Sequence, residues 1–216
     1  MLSSCMVRRR AFCAPFEASQ FLAVRSHLAE ELRGIVTLAY LTGWRVKSEI
    51  LPLEWSQVDR DRQTTELRRY TTKNDAPRIL PYRLLPELVT VIDAAWQAHE
   101  ALKAREVICP YVFQRDGEPV RDFRDAWQRA CVKAGCPGML VHDMRRTAVR
   151  NLVRAGVPEK IAMSVTGHKT PSVFARYNIV STDDLELALG KLAGQPVAAA
   201  TTAQVVQLRK RRTATK

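Results

Sequence analysis

The sequence predicts a mainly α-helical domain carrying a small antiparallel β-sheet, an α+β class. Apolar residues recur at three- and four-residue spacing through most of the chain, the pattern of helices that bury one stripe. One interval instead offers two extended runs, "TTELRRYTT" and "PRILPY", on either side of the turn-rich "KNDA", which is the pattern of a β-hairpin. A length of 216 residues, 46% of them hydrophobic and 26% charged, allows one domain with a self-sufficient core plus tails.

The elements follow in order. Residues 16–33 and 35–42 are expected to be helical, with Phe21, Val24, Leu28 and Leu32 on one stripe. Thr42-Gly43 breaks that pattern, and "VKSEILPLEW" resumes it as a short helix ended near Pro52. After the hairpin, Pro86 opens a helix through "ELVTVIDAAWQAHEAL", and "YVF" at 111–113 reads as a short strand. "RDFRDAWQRACVKAG" is a helix stopped by Gly135, and "HDMRRTAVRNLVRAG" is another closed by Gly156. Pro158 then suits the first turn of "PEKIAMSVTG", and "SVFARY" and "TDDLELALGKL" complete the helical part, with Thr182 as an N-cap. No internal repeat is visible. The expected division is a basic segment over 1–15, one domain over 16–190 and a flexible basic tail over 191–216.

Charge and cysteine usage narrow the class. The net charge is +12, but Arg8, Arg9 and Arg10 and the five cations of residues 209–216 account for eight of it, leaving +4 for residues 11–208. Such termini either lie solvated or attract nucleic acid through counterion release, without sequence preference. No apolar run reaches the roughly 18 residues that cross a membrane, and the opening segment lacks the apolar stretch of a secretory signal. Cys5, Cys13, Cys109, Cys131 and Cys136 form no CxxC pair, so they read as reduced thiols of a cytoplasmic protein. Cys131, Cys136 and His142 lack a fourth ligand at zinc spacing, and no metal is expected.

Several side chains could carry chemistry. His142 and Arg145 stand three apart on one helix and so share a face. Arg146, Arg150 and Arg154 follow a four-residue stripe facing either solvent or a DNA backbone, and Arg146, Arg150 and Lys169 are expected to contact DNA. Arg45 lies just past a helix end, where its guanidinium could clamp two phosphate oxygens, oriented by Glu49 four residues on. Lys73 falls in the hairpin turn and His168 follows Gly167. Tyr177 ends the next short helix. A free tyrosine is ionised only to about one part in a thousand at neutral pH, so a nucleophilic one needs help to lose its proton.

Taken together, "TGWR" (Arg45), "TTKND" (Lys73), "HDMR" (His142, Arg145), "TGHKT" (His168) and "ARY" (Tyr177) stand in an order that resembles the tyrosine recombinases, the family of phage-type integrases. The likeness runs from about residue 16 to 190. It implies that fold, and site-specific recombination or integration of double-stranded DNA by an assembly of identical subunits. Members usually carry a core-binding domain ahead of this region, which is expected to be absent here. The resemblance also implies that Tyr177 attacks a phosphodiester to give a 3′-phosphotyrosyl link. Arg45 and Arg145 would hold the non-bridging oxygens, His142 and His168 assist the phosphate or the phenolic proton, and Lys73 protonates the leaving 5′-oxygen. Exchange of one phosphate ester for another conserves bond energy, so no cofactor, metal or small-molecule substrate is expected, and the chain has no P-loop. The rival readings are a non-catalytic helix-turn-helix reader, with "NLVRAGVPEKIAMSVTG" as its two helices, and an inactive integrase fragment.

Overall fold

In the computed structural model, the described residues are 15–68, 77–177 and 182–193. They form eight α-helices and five short strands. Among the described residues no helix is long and apolar enough to cross a membrane. Residue contacts divide the chain into two units, Met1–Ile179 and Val180–Lys216.

The first unit is built around α2 (Glu30–Thr42), whose Leu32, Ile35, Val36, Leu38 and Ala39 are buried on several sides. Against it pack α1 (Ala18–Ser26), α3 (Pro86–Lys103) and α5 (Asp143–Arg154), and α4 (Arg124–Lys133) adds Trp127, Ala130 and Cys131 to the same core. The first helical break comes at residues 27–29, earlier than the sequence pattern placed it. Gly34 therefore lies inside α2, where a Cβ would press on Val91 and Phe113 at 3.0 and 3.1 Å. That glycine serves close helix packing and not a stop.

Three antiparallel strands form the main sheet: β1 (Val58–Asp59), β2 (Thr64–Leu67) and β3 (Arg78–Pro81), in that order. Thr65 pairs with Leu80 and Leu67 with Arg78, so those four share one face, and Thr65, Leu67 and Leu80 are buried there. β2 and β3 are the expected hairpin, shorter than the sequence runs, and β1 was not anticipated. The "YVF" run is not a full strand. Tyr111 makes one bridge to Glu54, and β4 (Gln114–Arg115) then turns back as β5 (Glu118–Pro119).

Two further helices complete the unit. Gly156 (φ +76°) ends α5, and Pro158 caps α6 (Glu159–Thr166) from just outside its first turn. Val149, Ala162 and Phe174 form a small second core that seats α7 (Pro171–Ala175) and, at its edge, Tyr177. The second unit contains α8 (Thr182–Ala193), which begins at Thr182 and exposes Leu185 and Leu189 one turn apart. The basic tail beyond residue 193 lies outside the described residues, as does Lys73.

Candidate active site

Three chain ends of helices deliver the site. At the first, Gly43 closes α2 in the left-handed region (φ +68°), where a Cβ would also meet Ala148 and Thr166 at 3.1 and 3.2 Å. This close approach lets the Arg145 guanidinium reach the Gly43 carbonyl, and its Nη1 also donates to the Thr166 carbonyl at 2.6 Å. Trp44 is buried and donates from Nε1 to the Val165 carbonyl at 3.0 Å, tying the α2 end to α6. A single π-helical turn over Val46–Ile50 follows, with Arg45 at its start.

Glu49, 1% exposed, organises that turn. Its Oε2 accepts the Arg45 backbone N–H at 2.8 Å, and its Oε1 accepts Arg45 Nη1 at 2.9 Å. The same Oε1 also takes Arg78 Nη2 at 2.7 Å. A buried carboxylate is tolerable only when so engaged. Arg45 keeps part of its guanidinium open to solvent, its side chain being 25% exposed.

α5 presents His142 and Arg145 from its first turn. Arg145 is 3% exposed, and its Nη2 has no hydrogen-bond partner among the described residues. Burial, then the neighbouring Arg45 charge, lowers its pKa to about 10, with Glu49 acting in the opposite sense. The guanidinium therefore stays charged at neutral pH while missing a partner. A buried guanidinium N–H without an acceptor is costly, and an anionic oxygen is an acceptor that would satisfy it.

The third end is the turn after α6, where Gly167 (φ +72°) reverses the chain and His168 points inward. Thr166 Oγ1 lies 2.8 Å from the Ala162 carbonyl, a separation that requires the hydroxyl proton between the two oxygens. His168 Nδ1, 2.7 Å from the same Oγ1, must then carry a proton and donate it, which leaves Nε2 as an acceptor. Nε2 is buried without a partner among the described residues. Burial, reinforced by Arg145, Arg45, Arg78 and His142, lowers the His168 pKa to about 3. The pKa of His142 is lowered too, first by partial withdrawal from water and then by Arg145. Both imidazoles are neutral at pH 7.

Tyr177 joins them. Its hydroxyl lies 3.0 Å from His142 Nε2, its ring is 4.7 Å from that of His168 between centroids, and the Arg145 guanidinium carbon is 5.7 Å from the ring centre. Arg45, His142, Arg145, His168 and Tyr177, spread through the sequence, thus occupy one locality. Beside them opens a cavity of about 400 Å³, lined by Arg45, His142 and Arg145 and, among apolar residues, by Leu51, Phe123 and Val141. Among the described residues no group of three or more His, Cys, Asp or Glu could hold a metal.

Residues 12–183 match the model of the phage integrase family. The chain belongs to that family. The integrase of Salmonella phage P22 is 27% identical over 177 residues, an alignment covering 79% of this chain and 44% of the phage protein. The chain therefore spans less than half the length of that relative. Among solved structures, XerA recombinase superposes with a TM-score of 0.69 at 15% identity, over 86% of this chain and 68% of that one. A lambda integrase dimer bound to a COC′ core site gives 0.60 at 18%, over 77% and 59%. The Tn1549 transposon integrase in complex with transposon right end DNA gives 0.61 at 18%, over 83% and 66%. The fold is that of a tyrosine recombinase catalytic domain, the expected α+β class.

One cation beside the site, Arg78, is missing from the motifs picked out in the sequence. The signal was present, because period-two alternation in "PRILPY" puts Arg78 on the same face as the buried Leu80. Of the cations expected on a DNA-facing stripe, Arg150 lies elsewhere. It is 7% exposed, donates from Nη1 to Glu17 Oε1 and from Nη2 to the Phe16 carbonyl, and so holds the start of the domain against α5. The four-residue stripe turns inward at that position because the segment before α1 packs over it. Arg146 is partly exposed and 3.6 Å from Asp143, and Lys169 is exposed.

Proposed function

We propose that this domain breaks and rejoins double-stranded DNA at specific sites through a covalent 3′-phosphotyrosyl intermediate, with Tyr177 as nucleophile. The observation that carries the reading is the Tyr177 hydroxyl, 3.0 Å from a neutral His142 Nε2 and beside the partly unpaired guanidinium of Arg145. His142 accepts the phenolic proton as the Tyr177 oxygen bonds to phosphorus. Arg45 and Arg145 hold the two non-bridging oxygens and offset the charge that grows on them. His168, its ring 4.7 Å from that of Tyr177 between centroids, borders the phosphate as well. Lys73, assigned by its motif alone, gives a proton to the departing 5′-oxygen, so one P–O bond forms as another breaks and no cofactor is needed.

Arg146 and Lys169 are assigned to the DNA backbone, and Arg150 is assigned to holding the fold. The duplex is the substrate class, and action in the cytoplasm, on DNA and as a homo-oligomer, belongs to the same reading. Support comes from the DNA complexes of the lambda and Tn1549 integrases, the former a dimer. The exposed pair Leu185 and Leu189 on α8 suits exchange of the last helix between subunits.

The test is a nicked suicide duplex mixed with the protein. A protein–DNA adduct that survives denaturant is expected with the natural chain, and none with Tyr177→Phe, while duplex affinity stays within about threefold. Equal loss of binding and adduct in Tyr177→Phe would mark the tyrosine as structural.

A further inference from the structure

Arg78 is a largely enclosed cation, its side chain 9% exposed, for which the mechanism above has no use. It opens β3 on the inward face of the hairpin, opposite the buried Leu67. Three contacts hold its guanidinium. Nη2 meets Glu49 Oε1 at 2.7 Å, Nη1 approaches the Val165 carbonyl at 3.5 Å, and the guanidinium carbon sits 5.5 Å from the centre of the Trp44 ring. It also fills the space beside Gly167, so that a Cβ at that glycine would overlap it. One side chain thereby touches the π-helical turn that carries Arg45, the aromatic ring that ties α2 to α6, and the turn that carries His168.

The demand for this cation does not come from Glu49 alone. That carboxylate already accepts two N–H groups from Arg45. A second guanidinium on Oε1 draws carboxylate charge away from Arg45 and leaves the Arg45 fork less neutralised toward solvent. Counting Arg45, Arg78 and Arg145 against Glu49, the cluster carries a net charge of two positive, the complement of a doubly negative pentavalent phosphorane.

We propose that Arg78 is a positioning residue for strand cleavage, acting through Glu49 on Arg45 and through Gly167 on the His168 turn, so that both sides of the phosphate site are set by one guanidinium. The proposal rests on the phosphotyrosyl reading and extends it to a residue that need not touch DNA. Lysine cannot replace it fully, because an ammonium lacks the planar fork that reaches Glu49 and Val165 at once.

The experiment measures single-turnover adduct formation at saturating suicide duplex for the natural chain, Arg78→Lys, Arg78→Ala, Glu49→Gln and the Arg78→Ala/Glu49→Gln pair. Duplex affinity and thermal melts are recorded alongside. Arg78→Ala is expected to slow adduct formation roughly 10²-fold, with Arg78→Lys between it and the natural chain and affinity within about threefold. The pair is expected to be no slower than the slower single variant, since the effect of Arg78 on Arg45 passes through Glu49. Losses that multiply in the pair would overturn the shared route. Arg78 variants that melt earlier yet react within twofold of the natural rate would reduce Arg78 to packing. Should Arg78→Ala fail to fold, the Arg78→Lys rate decides by the same threshold. A natural chain that forms no Tyr177-dependent adduct would overturn the phosphotyrosyl reading itself and this proposal with it, which is a different outcome from an active chain indifferent to Arg78.

Discussion

His168 shows how one residue ties the chemistry of the site to the stability of the fold. Its Nδ1–H is committed to Thr166 Oγ1, and its ring is buried beside three guanidiniums, so the folded state holds it neutral down to about pH 3. In the unfolded chain the same imidazole takes up a proton below about pH 6.5. Between those values the unfolded state binds more protons, so stability is complete above pH 6.5 and falls as the pH drops toward 3. From pH 7 to pH 5 this one group should remove about 2 kcal/mol, and the lowered pKa of His142 acts with the same sign. His168→Asn, which keeps a polar atom near Thr166 but cannot titrate, is expected to show a distinctly flatter decline in denaturant midpoint over that range. An unchanged slope in His168→Asn would mean that other groups govern acid unfolding.

At the scale of elements, α5 is where three functions share one helix. Its first turn supplies His142 and Arg145, its buried face joins α2, and Arg150 anchors the segment before α1. Phe16 adds to that anchor by donating its N–H to Thr147 Oγ1 at 2.8 Å and by meeting Trp127 edge-on. Replacing Arg150 with Met should therefore destabilise the domain by roughly 1–3 kcal/mol, mainly because the buried Phe16 carbonyl loses its charged donor, the pair with the exposed Glu17 adding little. The slope of duplex affinity against salt should not change. Arg146→Ala and Lys169→Ala should do the reverse, melting normally while each lowers that slope by about one. A reduced salt slope in Arg150→Met would return that residue to the DNA surface. Helix ends were the most legible part of this architecture, since Gly43, Gly135, Gly156 and Gly167 all sit at positive φ where a reversal is needed. The break at residues 27–29 was not legible, because no glycine or proline marks it and the apolar stripe continues through Leu28. The two-residue strands β1, β4 and β5 are likewise too short to show alternation.

Across the whole molecule, the site was readable as a set of residue types in order, but its wiring was not. Arg45, His142, Arg145, His168 and Tyr177 stood out because each lies in a short motif. Alternation places Arg78 on the buried face of its strand, but its contact with Glu49 across the fold is announced by no local spacing. Charge is distributed in the same divided way. The reactive cluster is a local excess of guanidinium, whereas most of the net charge of +12 lies near the two ends of the chain. The five cations of residues 209–216 can raise affinity for any duplex by releasing counterions, without sequence preference. Affinity and chemistry should therefore separate. Deleting residues 209–216 is expected to lower the slope of log affinity against log salt by up to about 4, and to weaken binding most at low ionic strength. Single-turnover adduct formation at saturating duplex should stay within about twofold of the full chain. If the deletion instead abolished cleavage on saturated DNA, the tail would have to act at the reacting phosphate, and the division between a basic periphery and a self-contained cluster of arginines, histidines and tyrosine would not hold.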